Sequence, residues 1–418
     1  MEATTQFSDR WGILQKMTFR FFAAYIFCYI GLQEMMEIMD ALFDPLIGWV
    51  GKHMLHIGHP ITIKPNGSGD TTYNYVQEFL FIMLSFITCI IWSVADRKRA
   101  SYNKMLYWVQ VLVRYYLAYV LAGYGFSKIF KSQFPAPDLQ RLIQPYGKSS
   151  PMGLAWTFLG FSTSFNFFIG FFETIGGVLM LFRRTTLFGA CIAATVVTNI
   201  VLINFCYDVP VKLFSSNLLL MTLFIIVCDG SRFFNLFFFN KPVAPADYSV
   251  VFKKKGWRIT RIVVKVLFIL LVVYTGYDCM NEAKRDGDNS FKPPLYGIYN
   301  VETFVFNNDT LPPLITDTTR WRRFVVAYGG AATVSLMNDK MKYYSFKPDT
   351  IHKTAILYDY RDSAVEYTLS YSRHDSTLVL QGKSEKDSLY VVMKRYNEKK
   401  FLLMNRGFHW INEYPMNR

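Results

Sequence analysis

Three stretches decide the fold: RYYLAYVLAGYGFSK (114–128), FFETIGGVLMLFRRTT (171–186) and NFCYDVPVKLFSSN (204–217). Each is mostly apolar and is broken by a few polar residues: Arg114 and Lys128, then Glu173, then Asn204, Asp208 and Lys212. Apolar runs of roughly 20 residues are long enough to cross a bilayer. An ionisable residue inside such a run is costly unless it has a partner or a task. The stretches therefore predict membrane helices, and their polar interruptions predict where chemistry sits.

The rest of the chain fits that reading. It has 418 residues, 52% of them hydrophobic, with 38 Phe and 27 Tyr, richer in aromatics than an average soluble domain. About seven spans are predicted, near 17–33, 75–95, 105–129, 164–182, 185–206, 213–228 and 262–279. The segment 34–57 alternates acids and apolar residues at helical spacing and reads as a helix lying in the interface. Asp70 or Thr71 caps the helix that follows it. A short apolar piece, 154–161, reads as interfacial or re-entrant. Arg10 and Lys16 precede the first apolar segment and no small-residue cleavage site follows, which reads as a retained signal-anchor.

The net charge of +14 is a statement about orientation. Much of the excess lies at 96–104, 183–184 and 230–261, the pattern of cytoplasmic loops, so the partner is the bilayer and not nucleic acid. Glu34, Glu37, Asp40, Asp44 and Asp70 against Lys52 and Lys64 put the 34–73 loop outside. Seven spans with a cytoplasmic N-terminus then place the C-terminal region outside. The six cysteines include no Cys-x-x-Cys pair and all lie in or at the ends of apolar spans, where Cys behaves as a small hydrophobe. Beyond Cys279 there is none, so the C-terminal region has no internal disulfide. A bacterial inner membrane with a periplasmic C-terminal domain fits both facts.

From about residue 293 the pattern changes to short alternating runs such as YNVETFVF, KMKYYSF and SLYVVMK, separated by turn residues. Strands at this spacing predict an all-β domain, either a small lipocalin-like barrel or a sandwich. The expected regions are 1–104 (two spans and the interfacial helix), 105–229 (a four-helix bundle), 230–280 (a basic loop and the last span) and 281–418 (the β domain).

Two constellations carry candidate chemistry. Arg114 and Glu173 each sit nine residues from the cytoplasmic end of their spans, ~13 Å deep at the α-helical rise, so a buried ion pair is expected, with Gly176 and Gly177 allowing close helix approach. Tyr124, Lys128, Asn199, Asn204, Tyr207, Asp208 and Lys212 fall near the outer ends of three spans. With Lys131, Arg141 and Lys148 above them they predict a basic outward pocket for an anion or a quinone head group. The alternative is interfacial snorkelling. His53, His56 and His59 read as a polar helix end, with no metal assigned. RFFAAYI (20–26) and RYYLAYV (114–120) match in type, a weak sign of duplication.

Arg114, Gly125, Lys128, Glu173, Gly176, Gly177 and the Arg183-Arg184 turn resemble the DoxX/DoxD-like family of four-helix membrane proteins over about 105–229. That family includes a subunit of a thiosulfate:quinone oxidoreductase. The resemblance implies a four-helix bundle and quinone-linked redox work, with a quinone as the possible cofactor. The extra spans and the β domain depart from the family. A second class of function stays open: a non-enzymatic membrane protein that binds lipid or a protein partner through the β domain. The order of membrane helices followed by a β-rich region is also similar in layout to bacterial relatives of vitamin K-dependent carboxylase.

Overall fold

The computed structural model describes residues 10–32, 40–61, 67–243, 255–288, 290–359 and 366–417. Glu34, Glu37 and Lys64, used above for orientation, and residues 244–254 of the basic segment lie outside the described residues. The chain forms two compact units: 1–134 with 151–281, and 135–150 with 282–418. The first unit takes in most of the first three expected regions. The 135–150 loop, expected among the membrane segments, belongs to the β unit.

The first unit is helical. Its elements are α1 (Ile13–Phe27, continued by a π-helical Cys28–Leu32), α2 (Asp40–His53), α3 (Thr72–Ala95) and α4 (Asn103–Ile129). After the 135–150 excursion, which contains α5 (Leu139–Ile143), come α6 (Pro151–Phe161), α7 (Thr163–Met180), α8 (Thr186–Cys206), α9 (Lys212–Cys228), α10 (Gly230–Phe237) and α11 (Lys255–Asp286). Among the described residues, α3, α4, α7, α8 and the 259–285 part of α11 are each long and apolar enough to cross a membrane. A sixth such element arises if α9 and α10, bent by 81°, count together.

Local chemistry sets the helix ends. Thr71, not Asp70, caps α3: its hydroxyl accepts from the Asn74 amide, and the Asn74 side chain accepts from the Thr71 amide. Ser162 caps α7 through the Phe165 amide. Glycines set the helix spacing. A Cβ on Gly125 would lie 2.1 Å from Thr174 Oγ1 and 2.7 Å from the Gly170 carbonyl, so α4 and α7 touch backbone to backbone there, as small residues permit. Gly189 meets the Gly176 carbonyl in the same way, which joins α7 to α8.

The second unit is a closed barrel, which decides against the sandwich. Its strands are β1 (Gly297–Phe306), β3 (Trp321–Val326), β4 (Ala331–Leu336), β5 (Met341–Asp349), β6 (Thr354–Asp359), β7 (Glu366–His374), β8 (Thr377–Lys383) and β9 (Ser388–Tyr396), with a two-residue β2 (Asp309–Thr310) beside β1. Neighbours in sequence pair antiparallel, and β1 also pairs with β9 from Ile298–Tyr396 to Phe306–Leu389, which closes the eight strands. Alternate residues point inward. Tyr299, Phe304, Trp321, Phe324, Phe346, Leu369, Leu380 and Val391 are buried together inside, as expected for eight strands, whose interior is about wide enough for side chains to fill. The apolar face of α5 joins this unit: Leu139 and Ile143 pack with Ile298 and Val325.

Candidate functional site

The ion pair in the bundle is Lys128–Glu173, not Arg114–Glu173. Lys128 Nζ lies 2.5 Å from Glu173 Oε2, with both side chains almost fully buried (7% and 3% exposed). Arg114 instead donates from Nε to the Met180 carbonyl at 2.7 Å. The reason is register. Gly125 rests on Gly170 and Thr174, and Gly177 rests on Ala118 and Leu121. Position 173 therefore faces the 124–128 turn, and position 114 faces the C-terminal end of α7. That end carries unpaired carbonyls and negative partial charge, a natural seat for a guanidinium. Arg20, its match in the suspected repeat, behaves alike: it donates to the Asp96 carbonyl just past α3 and to the Tyr102 hydroxyl.

Aromatic rings wall the pair. The Lys128 ammonium is 5.5 Å from the Tyr124 ring centre and 5.9 Å from that of Phe134, within cation–π range. It also donates to the Tyr124 carbonyl at 3.4 Å. Trp156 packs edge-on against Phe134 at 5.0 Å. Asn166, Gly170, Glu173 and Gly177 recur at three and four residues on the buried face of α7, so they share one stripe. Asn166 Nδ2 donates to the Phe134 carbonyl at 3.0 Å. Its Oδ1, and the Thr174 hydroxyl about two turns further along the helix, are buried with no hydrogen-bond partner among the described residues. Such groups are costly to leave unmade.

The seven residues of the expected outward pocket have different partners. Tyr124 and Lys128 belong to the Glu173 site. Lys212 and Asp208 form an ion pair at 2.9 Å, with Asp208 85% exposed. Lys212 also meets Asp70 at 3.7 Å. Asp70 accepts from the amides of Lys212 at 2.7 Å and Leu213 at 3.0 Å, so it caps α9 from across the unit. Asn204 is buried and donates to Ser215 Oγ at 3.0 Å. Asn199 and Tyr207 are exposed. Each cation is held by a carboxylate, Lys128 by Glu173 and Lys212 by Asp208. The residues of the expected basic cover have other partners. Lys131 donates to Thr163 Oγ1 at 3.4 Å. Lys148 donates to the Asp339 carbonyl at 2.5 Å and Arg141 Nη1 to Gln144 Oε1 at 2.5 Å, both within the barrel unit. Of the three histidines, His53 stacks on Trp49 at 5.3 Å and His59 contacts the Pro60 carbonyl.

A second polar group, with Tyr25 and Asn217 buried and Glu78 half-buried, escaped the sequence reading. Tyr25 on α1, Glu78 on α3 and Asn217 on α9 meet: the Tyr25 hydroxyl contacts both Glu78 Oε1 and Asn217 Oδ1. Asn217 Nδ2 faces Glu78 Oε1 at 3.4 Å and the Leu213 carbonyl at 3.1 Å. The three residues are 53, 139 and 192 positions apart in pairs, so no local motif announces them.

No protein-family model matches the chain, and no solved structure matches it. Over 126 residues it is 36% identical to "Uncharacterized protein YwoB" of Bacillus subtilis (strain 168), a match that covers 30% of this chain and 79% of YwoB.

Proposed function

This chain belongs to the YwoB family, and we propose that its bundle binds the polar head of an apolar small molecule at Lys128–Glu173, a quinone being the class that fits best. One observation carries the reading: a buried ion pair beside the rings of Tyr124 and Phe134, with Trp156 packed on Phe134 and two unpartnered buried oxygens on the same helix as Glu173. A neutral ring with two carbonyls can accept from Lys128 and stack on the aromatics. Its reduced form offers two hydroxyl donors, which suits Asn166 Oδ1 and the Glu173 carboxylate. An oxyanion fits less well, because Glu173 already holds the cation and repels a second negative charge. The DoxX-like resemblance leads to the same class by a separate route.

The setting we propose is a bacterial inner membrane crossed seven times, with the N-terminus cytoplasmic and the barrel in the periplasm. Support comes from the basic loop at 96–104, from the five long apolar helices, and from α1, whose π extension lengthens a helix too short by itself. The 81° bend lets α9 cross alone while α10 lies along the surface. The barrel's filled interior supports a role for its outer surface, towards a protein or lipid partner.

The test is extraction. Protein purified in mild detergent from quinone-containing membranes should carry quinone in near-stoichiometric amount, measured by its redox difference spectrum. Lys128→Met and Asn166→Leu should each lose it, with the folded protein monitored by size-exclusion chromatography. Folded wild type that neither carries nor takes up quinone would refute the reading.

A further inference from the structure

The Tyr25–Glu78–Asn217 group is short of one positive charge. The Tyr25 hydroxyl has one proton and touches two acceptors, Glu78 Oε1 and Asn217 Oδ1. A hydroxyl can donate to only one of them. Turning the Asn217 amide over does not help. Its Nδ2 faces the Leu213 carbonyl at 3.1 Å and Glu78 Oε1 at 3.4 Å, and a turned amide would set an oxygen against both. The orientation is thus fixed by its partners, and three oxygens converge with one proton too few.

No lysine, arginine or histidine among the described residues pairs with Glu78. Among the described residues, the hydrogen-bond partners of Glu78 are Tyr25 and Asn217. Of the other described residues, Cys28 lies close enough to act on Tyr25, and Tyr116 and Tyr124 on Tyr29 beside it. None of these is a cation. Tyr25 and Asn217 are buried, at 5% exposure each. Glu78 is half-buried beside them, and a carboxylate held against buried neutral oxygens is stabilised when a cation joins it.

We propose that Glu78, Tyr25 and Asn217 form a site for a small monovalent cation, a proton or a sodium ion. The three oxygens come from α1, α3 and α9, so the bound cation ties these helices together. The site stands apart from the Lys128–Glu173 reading and does not depend on it.

A hydrophobic carbodiimide tests this in the full-length protein in liposomes. Such a reagent adds to a protonated carboxyl in an apolar setting, and the adduct is mapped to a residue by mass spectrometry. In sodium-free choline buffer Glu78 should be labelled, and Glu78→Gln should abolish that adduct alone. If the cation is a proton, labelling falls as pH rises and ignores sodium. If it is sodium, added sodium chloride protects Glu78 and raises the melting temperature of wild type but not of Glu78→Gln. If the cation is sodium, Tyr25→Phe should weaken its binding about tenfold, the worth of one oxygen contact to a charged group. No adduct at Glu78 at any pH, together with a melting temperature indifferent to sodium, overturns the proposal. Both readouts use wild type, so a variant that fails to fold does not protect the idea.

Discussion

Breaking the Lys128–Glu173 pair should cost more from one side than from the other. At 2.5 Å and an effective dielectric of about 20, the gross attraction is about 7 kcal/mol. Desolvating the two ions removes several kcal/mol each, so the intact pair is close to neutral for stability. Removing one partner is different, because the other stays buried and uncompensated, at about 3–5 kcal/mol. Lys128→Met strands a carboxylate that is 3% exposed, and the expected loss is about 4 kcal/mol. Glu173→Gln strands a lysine that keeps the Tyr124 carbonyl at 3.4 Å and the faces of Tyr124 and Phe134, so about 2 kcal/mol is expected. The double variant should return to within about 1 kcal/mol of wild type. The assay is equilibrium unfolding in mixed micelles titrated with sodium dodecyl sulfate. Additive losses of about 6 kcal/mol in the double variant would show that the two side chains do not act on each other. The same cycle on Arg114 and Glu173 should be additive.

Two further outcomes are expected. At the β5–β6 turn Asp349 accepts from His352 Nδ1 at 2.7 Å and from the Ile351 and His352 amides, which hold its carboxyl down at about 2; a carboxyl depressed on folding stabilises above its unfolded value and loses that contribution as pH falls through the folded one. Acid unfolding of the barrel followed by near-UV circular dichroism should therefore flatten between about pH 4 and 2 in Asp349→Asn, and an unchanged acid limb would remove this group from the account. Reporter fusions after Lys104 and after Arg418 should read opposite sides of the membrane, and agreement between them would rule out seven spans.

Much of the fold was legible because its signals are local. The run 186–206 has no charged residue, and it is one helix from Thr186 to Cys206. The strands were legible for the same reason, since β7 buries Tyr367, Leu369 and Tyr371 and exposes the residues between them. Barrel closure was not legible. It depends on β1 meeting β9 some 90 positions later, and a sandwich imposes the same alternation on each strand. The attachment of 135–150 to the barrel was hidden likewise. Leu139 and Ile143 make an i,i+4 apolar pair, which suits a membrane surface as well as it suits Ile298 and Val325.

The candidate site shows where depth arguments stop. Counting residues from span ends gives each polar group a depth only if neighbouring helices begin level, and nothing in the sequence makes them do so. Level is set by contact. In the antiparallel pair α4–α7, Gly125 lies against Gly170 and Thr174, so stepping back from 125 to 114 moves the neighbour forward past Met180. Of the two glycines that looked like aids to the expected pair, Gly177 is what excludes it: it brings Ala118 and Leu121 into contact and commits the register, while Gly176 meets Ala193 on α8. Glu173 then takes the cation one turn from its own level, and Arg114 takes the helix end that its level offers. A lone Glu78 near the start of α3 gave even less warning, since an acid six residues into a span reads as an interfacial residue. Its task emerges only when α1 and α9 bring Tyr25 and Asn217 to it. In a bundle of this kind the small residues choose the partners of the charged ones, and an enlarged Gly125 should separate Lys128 from Glu173 without either side chain being touched.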